Sequence, residues 1–422
     1  MKVYKFGGAS VKSAQGVKNL KEIIGKETDN LVVVVSAMGK VTNMLEAVTG
    51  SYFNKKPDLT QNLQTVKNFH YNIVTELYVE KAEIEQRLGE IFAKLEEIIV
   101  QKPSLSYDFE YDRIVSFGEI LSTTIVSDYL NLQDCKNIFV DVRTCLKSDD
   151  NYREGNIEFA LSEQFVRETM NFSGTNLYIT QGFIAGTITN QTTTLGREGS
   201  DYTATLLASM LDAENVTIWK DVPGVMNADP NANSKLYSDV KVIPRLSYKE
   251  AIELSYCGAS IIHPKTVKPL KNKKIPLFVR SFAEPDKVGS VINDFAEKVD
   301  MPPIYINKAN QVLFTLTPRD FSFIAEEKLS SIFSLLASYK VKVSLIQTSA
   351  ISFSLCIDYN QATFNKMISE FQDDYEVLYN TDVELITIRH YTQKEVDKIF
   401  NERIVFVEQR SRLTVRFVVP AA

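Results

Sequence analysis

Residues 31–39 read LVVVVSAMG. A leucine and four valines in a row leave no polar face, which predicts a parallel strand buried on both sides. Working back, residues 14–25 carry helical spacing. Before them KVYKF (2–6) reads as a first strand, punctuated by Gly7-Gly8. Strand, helix, strand in that order opens an α/β sheet of the open, mostly parallel kind.

The alternation continues outward. Residues 58–102, which include EQRLGEIFAKLEEII, are rich in helix formers and read as long helices. Residues 111–132 read as helical. IFVDV (138–142), NLYITQGF (176–183) and NVTIWKDV (215–222) read as strands, and GREGSD (196–201) as a loop opening a helix. Residues 248–259 read as a helix and IPLFVRS (275–281) as the last strand of this part. The stretch 284–303 is polar at its start and ends in Pro-Pro, which marks a boundary. Beyond it the order is βαββαβ, from QVLFTLT (311–317) to YEVLYN (375–380). A shorter module follows, with VELITIRH (383–390), a short helix, RIVFVEQ (403–409) and LTVRFVVP (413–420). The expected division is 1–290, 303–380 and an abbreviated 381–422, where a last helix is missing. The two modules repeat one order of elements weakly.

Composition narrows the function. The chain has 422 residues, enough for two or three domains, and 44% hydrophobic residues, enough for a sizeable core. A net charge of −6 with no long basic run speaks against a nucleic-acid surface. No apolar stretch approaches a membrane span, and the N-terminus shows no signal-peptide pattern. Four scattered cysteines, none in a C-x-x-C pair, predict reduced thiols in a cytoplasm rather than a zinc site. Three histidines make a histidine triad or metal cluster improbable.

Ligands of open α/β sheets gather beyond the carboxyl ends of the strands. Polar clusters follow four strands here: Lys5, Gly7, Gly8 and Ser10; Ser36 and Thr42; Gly182 with the loop Gly196 to Asp201; and Lys220 with Asp221. Lysine plus glycines that expose backbone N–H groups can hold an anion such as a phosphate, and Ser10 could cap the next helix. Each cluster alone reads as readily as a polar turn, and the first as a tight turn with a solvated lysine. Four at four strand ends make coincidence much less plausible. Glu119, alone, would pass for a solvated helical residue, and His263 before Pro264 for a structural one.

Taken together, KFGGAS (5–10), VVVVSAMGKVTNML (32–45), VSFGEILST (115–123), TTTLGREGSDYTATLLA (192–208), WKDVPGVMNADPN (219–231) and ELSYCGASIIHPKT (253–266) occur in this order in aspartate kinases. Nearly the whole chain resembles a monofunctional member of that family. The resemblance implies an αβα sandwich of the amino-acid-kinase fold followed by two ACT-like modules. It implies phosphorylation of the L-aspartate side chain by ATP, with Mg2+ on the nucleotide, as the first step toward lysine, threonine, methionine and diaminopimelate. By the same resemblance Lys5, Gly7, Gly8 and Asp201 are catalytic. Ser36, Thr42, Glu119, Arg197 and Ser200 bind aspartate, and Lys5, Ser10, Lys220, Asp221, Met226, Asp229 and Ser260 line the ATP site. A homodimer or larger homo-oligomer through the ACT modules is implied as well.

The chain departs from the family at three site positions. Glu198 stands where glycine is common, a minor change because related sequences tolerate other residues there, and Ser260 and Asn231 stand where lysine and arginine are common. The last two remove positive charge near ATP. In the first module, Ser322, Ser344 and Ala350 stand where lysine-sensitive relatives have a glycine and carboxylates, so lysine feedback is expected to be weak or absent. Two other readings compete. A same-fold kinase of another acid fits less well, because Glu119 and an ACT pair are not combined in kinases of glutamate, N-acetylglutamate or UMP. A dead-kinase sensor would have no reason to keep Lys5, Arg197, Asp201 and Asp221. A fusion with homoserine dehydrogenase would not fit in this length.

Overall fold

The computed structural model describes residues 1–230, 240–259, 262–297 and 299–421. Asn231 and Ser260 lie outside the described residues. The chain divides into two compact units: Met1–Val225, Pro244–Ile252 and Ser260–Val299 form the first, and Met226–Ile243, Glu253–Ala259 and Asp300–Ala422 the second.

The first unit begins β1 (Lys2–Phe6), α1 (Ala14–Ile24), β2 (Leu31–Val35), α2 (Val41–Phe53), α3 (Leu59–Leu77) and α4 (Ala82–Val100). It continues α5 (Tyr107–Val115), α6 (Phe117–Leu132), β3 (Ile138–Val140), α7 (Val142–Cys145), α8 (Phe159–Thr169) and β4 (Leu177–Gln181). A small β5–β6 hairpin (Ile184–Gly186, Thr192–Thr194) leads to α9 (Gly199–Met210) and β7 (Asn215–Lys220). Then come β8 (Arg245–Ser247), α10 (Tyr248–Cys257), which passes into the second unit at Glu253, α11 (Pro264–Lys273), β9 (Leu277–Ser281) and β10 (Ser290–Asn293). The eight-stranded sheet runs β3-β4-β2-β1-β7-β9-β10-β8. Its six strands from β3 to β9 are parallel, and β10 turns antiparallel to β9.

The valine run is buried at every position, as a central parallel strand must be. Tyr4, Phe6, Val33 and Val35 pack on one face with Leu20, Leu45, Val66, Phe92 and Leu121. The alternate residue Lys5 turns to the other face, where α9 lies. Both faces are therefore covered by helices, the layered architecture expected from the sequence.

Several local expectations need correction. Ser10 does not cap α1. Its N–H donates to the Gly7 carbonyl at 2.9 Å, and Ser13 Oγ instead accepts from Gly16 N–H at 3.3 Å. The 138–142 strand stops at Val140, because Asp141 caps α7 through the Arg143 N–H. Residues 275–281 are not the last strand, since β10, paired with β9 on one side and with the edge strand β8 on the other, lies inside the stretch read as a polar boundary.

The second unit contains β11 (Ile304–Pro318), α12 (Glu326–Ser338), β12 (Val343–Thr348), β13 (Phe353–Asp358) and α13 (Gln361–Phe371). After these come β14 (Tyr375–Arg389), α14 (Gln393–Glu402), β15 (Val407–Arg410) and β16 (Thr414–Pro420). YEVLYN and VELITIRH, read as strands of separate modules, are one 15-residue strand. β11 is equally long and pairs with it throughout, with register shifts around Gln311. A single sheet, β12-β13-β11-β14-β16-β15, results. Each half of the long pair carries its own core. Phe314, Phe353, Phe364 and Phe371 gather under α12 and α13, whereas Ile388, Val396, Ile399 and Phe417 gather under α14.

Candidate active site at the carboxyl ends of the parallel strands

β1, β2, β4 and β7 are neighbours in the parallel sheet, so their carboxyl ends open to one edge. Phe6 sits in register with both Val35 and Trp219, and Val35 with Gln181. The four polar clusters of the sequence therefore meet.

Lys5, next to last in β1, is nearly buried; its Nζ lies 2.5 Å from Asp201 Oδ1. Asp201 is fully buried in the first turn of α9, and its Oδ2 is 3.5 Å from Lys220 Nζ at the end of β7. Burial alone would raise the Asp201 carboxyl. Lys5 and Lys220 outweigh that and hold it well below the ordinary carboxylate range. Lys220 is in turn raised, because Asp201 and Glu198 overcome its desolvation. A buried carboxylate thus holds two ammonium groups side by side at the strand ends.

The glycines are set by contact. A Cβ on Gly7 would stand 3.4 Å from Lys5 Nζ, and one on Gly8 would stand 2.7 Å from the Ala37 carbonyl and 2.9 Å from that of Gly39. The loop after β1 is pressed against the loop after β2, where Gly39 takes φ +56 and donates its N–H to the Gly8 carbonyl. Gly8→Ala is expected to cost about 1–3 kcal/mol in a urea melt, because the obstruction is backbone and cannot turn aside.

Glu119 enters from α6. Gly118 allows the approach, since its Cβ would stand 3.0 Å from that of Ala37. Glu119 Oε1 accepts from Ala37 N–H at 3.2 Å, and its buried Oε2 has no hydrogen-bond partner among the described residues. Burial pushes the carboxyl up to about 8, against the pull of the Ala37 N–H and of Lys5. Ser36 is fixed by its N–H to the Phe6 carbonyl and by Ser122 Oγ donating to its own carbonyl at 2.7 Å. Thr42 is half-buried in the first turn of α2.

On the other side, Ser200 packs against Gly182 so closely that a Cβ there would lie 2.5 Å from its own. Arg197 is exposed between Gly196 at φ +71 and Glu198 at φ +54, and has no ion-pair partner among the described residues. Its loop is braced from behind by Asp112, which accepts from the Arg153 N–H, the Thr194 N–H and the Thr194 hydroxyl. No sequence signal marks Asp112. Asp221 is exposed just past β7, and Met226 and Asp229 follow in the second unit. Ser10 is buried one turn behind the glycines, and His263 caps α11 by accepting from the Lys265 N–H, the structural part expected of it.

Glu198 is the residue the sequence undervalued. Its Oε2 is 3.9 Å from Lys220 Nζ. Its left-handed backbone conformation disfavours any side chain by roughly 1–2 kcal/mol, and it makes no side-chain cap to α9.

Residues 1–281 match the amino acid kinase family. The chain is 32% identical to lysine-sensitive aspartokinase 3 of Escherichia coli over 373 residues, covering 86% of this chain and 79% of that protein. It is 30% identical to the chloroplastic aspartokinase 1 of Arabidopsis thaliana, covering 88% of this chain and 66% of that one. Among solved structures, E. coli aspartokinase III in complex with aspartate and ADP (R-state) superposes with a TM-score of 0.83 at 27% identity, over 100% of this chain and 96% of that chain.

Proposed function

The chain belongs to the amino acid kinase family, and within it to the aspartokinases, and we propose that it transfers the γ-phosphoryl group of ATP to the side-chain carboxylate of L-aspartate. The observation that carries this reading is the Lys5–Asp201–Lys220 cluster, placed at the strand ends with the exposed Arg197 guanidinium on one flank and the buried Glu119 carboxylate on the other.

The attacking carboxylate is ionised near neutrality, at a pKa of about 4, so no general base is needed. The barrier is electrostatic: like charges ~4 Å apart repel by roughly 4 kcal/mol at an effective dielectric of ~20. Lys5 and Lys220 offset that repulsion at the phosphates, and Gly7 and Gly8 let the phosphate oxygens approach the backbone N–H groups. Asp201 keeps both ammonium groups in place. The donor set here suits phosphate oxygens, so Mg2+ would ride on the nucleotide, where it neutralises phosphate charge. Arg197 would grip the α-carboxylate of aspartate in a bidentate pair, and Glu119 the α-ammonium. Ser36, Thr42 and Ser200 would add hydroxyl contacts. Ser10, Asp221, Met226, Asp229 and Ser260 are read as the nucleotide side.

The test is a hydroxylamine trap with Mg-ATP and aspartate, glutamate or no acid. Acyl hydroxamate formed with aspartate alone supports the reading. No hydroxamate from folded protein that still binds an amino acid would replace it with a sensor.

Regulation is part of the proposal. At Ser344, where lysine-sensitive relatives place a carboxylate, the hydroxyl accepts from Lys308 Nζ at 2.9 Å, and Lys308 also pairs with Asp358 at 3.0 Å. An internal ammonium already occupies this neighbourhood, and a buried effector ammonium would go unpaired. Sub-millimolar lysine is therefore expected to leave the rate within twofold of the uninhibited value in a coupled ADP assay. Copies are proposed to associate through the second unit, which leaves Phe321, Phe323 and Leu378 exposed. Four free cysteines fit a reducing cytoplasm. No helix among the described residues is long and apolar enough to cross a membrane.

A further inference from the structure

Nothing in the chemistry above asks for an acid at position 198. Glu198 adopts φ +54, a conformation that favours glycine. It gives α9 no cap, and it brings a mostly buried carboxylate toward another that is wholly buried. What it does have is Lys220, 3.9 Å away. The charged groups facing it are Asp201 in the first turn of α9, Lys220 on β7 and Lys5 on β1. Two ammonium groups and two carboxylates leave this corner of the site close to neutral before any ligand arrives.

Phosphates change that balance. If Lys220 turns to nucleotide oxygens, Glu198 loses its counter-ion and gains an anionic neighbour. An ionised Glu198 would then repel the phosphates across a poorly solvated gap, and a neutral one would not. Burial already raises this carboxyl above the ordinary carboxylate range; Lys220 opposes the rise and Asp201 adds to it. The cheapest route is for the carboxylate to accept a proton from solvent, Glu–COO⁻ plus H⁺ giving Glu–COOH, as Lys220 is handed over.

We propose that Glu198 is a positioning residue that holds Lys220 in the empty site and releases it to the nucleotide phosphates by taking up a proton, so that nucleotide binding is coupled to proton uptake. The inference rests on the phosphate role given to Lys220 above. By linkage, nucleotide affinity is highest where Glu198 is already protonated. It falls as pH rises through the carboxyl's own pKa toward its higher value in the complex.

The experiment is calorimetric titration of the full chain with Mg-ADP in two buffers of different ionisation enthalpy, across the neutral range. The wild-type protein is expected to take up protons on binding. Glu198→Gln removes the charge and keeps the shape. It should abolish that uptake, flatten the pH slope and tighten Mg-ADP by at least about tenfold at the alkaline end, well within the Coulomb energy of one poorly solvated charge. In the kinetic assay the KM for ATP should move more than the KM for aspartate. Glu198→Gly, which suits the backbone, should behave like the glutamine variant and carries the test if that one folds poorly. Proton uptake and pH slope equal to wild type in both variants would overturn the inference, whatever the hydroxylamine trap shows. Coupling lost in both variants, with no acyl hydroxamate from any acid, would uphold it and sink only the aspartate reading. No Mg-ADP binding by folded wild-type protein would overturn both.

Discussion

Lys5→Met is expected to lower kcat by about 10³-fold, in the range reported for removing one preorganised charge-stabilising group from a closed site. Methionine keeps the unbranched stem, so the volume beside Gly7 stays filled while the ammonium goes. The loss should fall on kcat more than on either KM, because the charge is needed most where the phosphoryl group is in transit. Stability should fall too. Asp201 loses a partner at 2.5 Å and keeps Lys220 at 3.5 Å. Removing one partner of a buried pair costs ~3–5 kcal/mol, and the remaining lysine should confine the loss to the lower end. The sign with pH follows from Asp201, whose native pKa is depressed. Its stabilising contribution is present above the ordinary carboxylate pKa and is lost as pH falls through the native one. Urea melts of wild type and variant should therefore converge in acid. Rates within tenfold of wild type, from protein that melts normally, would remove Lys5 from the chemistry. A second substitution, Asp201→Asn, should then restore part of the stability and none of the rate.

Much of this site was legible because its logic is local. A valine run identifies a central strand, and polar clusters directly after strands must lie at one sheet edge once the strands are parallel. Lys5, Gly8, Ser36 and Lys220 are each within two residues of a strand end, so topology alone brings them together. Other contacts depend on elements far apart in sequence. Gly182 is required by Ser200, and Gly118 by Ala37, and neither need is written in the neighbouring residues. Glu198 read as a tolerated change because its partner, Lys220, lies a helix and a strand away. The long strand β14 was split for a related reason. Asn380-Thr381-Asp382 has the composition of a turn, and Asp382 does take φ +55. The partner strand β11 has its own irregularity opposite, with Asn310 at φ +54, so the ladder passes through both as a bulge instead of ending.

Glu119→Gln should separate function from stability in opposite directions. The native carboxylate is fully buried, receives one N–H from Ala37 and leaves Oε2 without a partner among the described residues. If the α-ammonium of aspartate is that partner, glutamine replaces a charge pair with a neutral contact inside a closed site. Losing a desolvated charge-assisted bond costs ~2–4 kcal/mol, which means about 30- to 10³-fold in kcat/KM for aspartate, with the KM for ATP little changed. The pH profile gives a sharper signature. Only the ionised form serves the ammonium, and burial places this carboxyl at about 8, so the wild-type kcat/KM for aspartate should climb with pH up to that region. The variant should lose that limb. Stability runs the other way. The native pKa lies above the ordinary carboxylate value of about 4.5, so the native state binds the extra proton, and wild-type stability falls as pH rises from there toward 8. Glutamine has no proton to lose. The variant should therefore be the more stable protein above that pH, by on the order of 1–3 kcal/mol, with the gap closing in acid. A variant that loses activity and stability together at alkaline pH would make Glu119 a structural carboxylate. One that keeps its aspartate kinetics would free the α-ammonium for another partner. The opposed outcome is the mark of a group held in an unfavourable state because the substrate completes it.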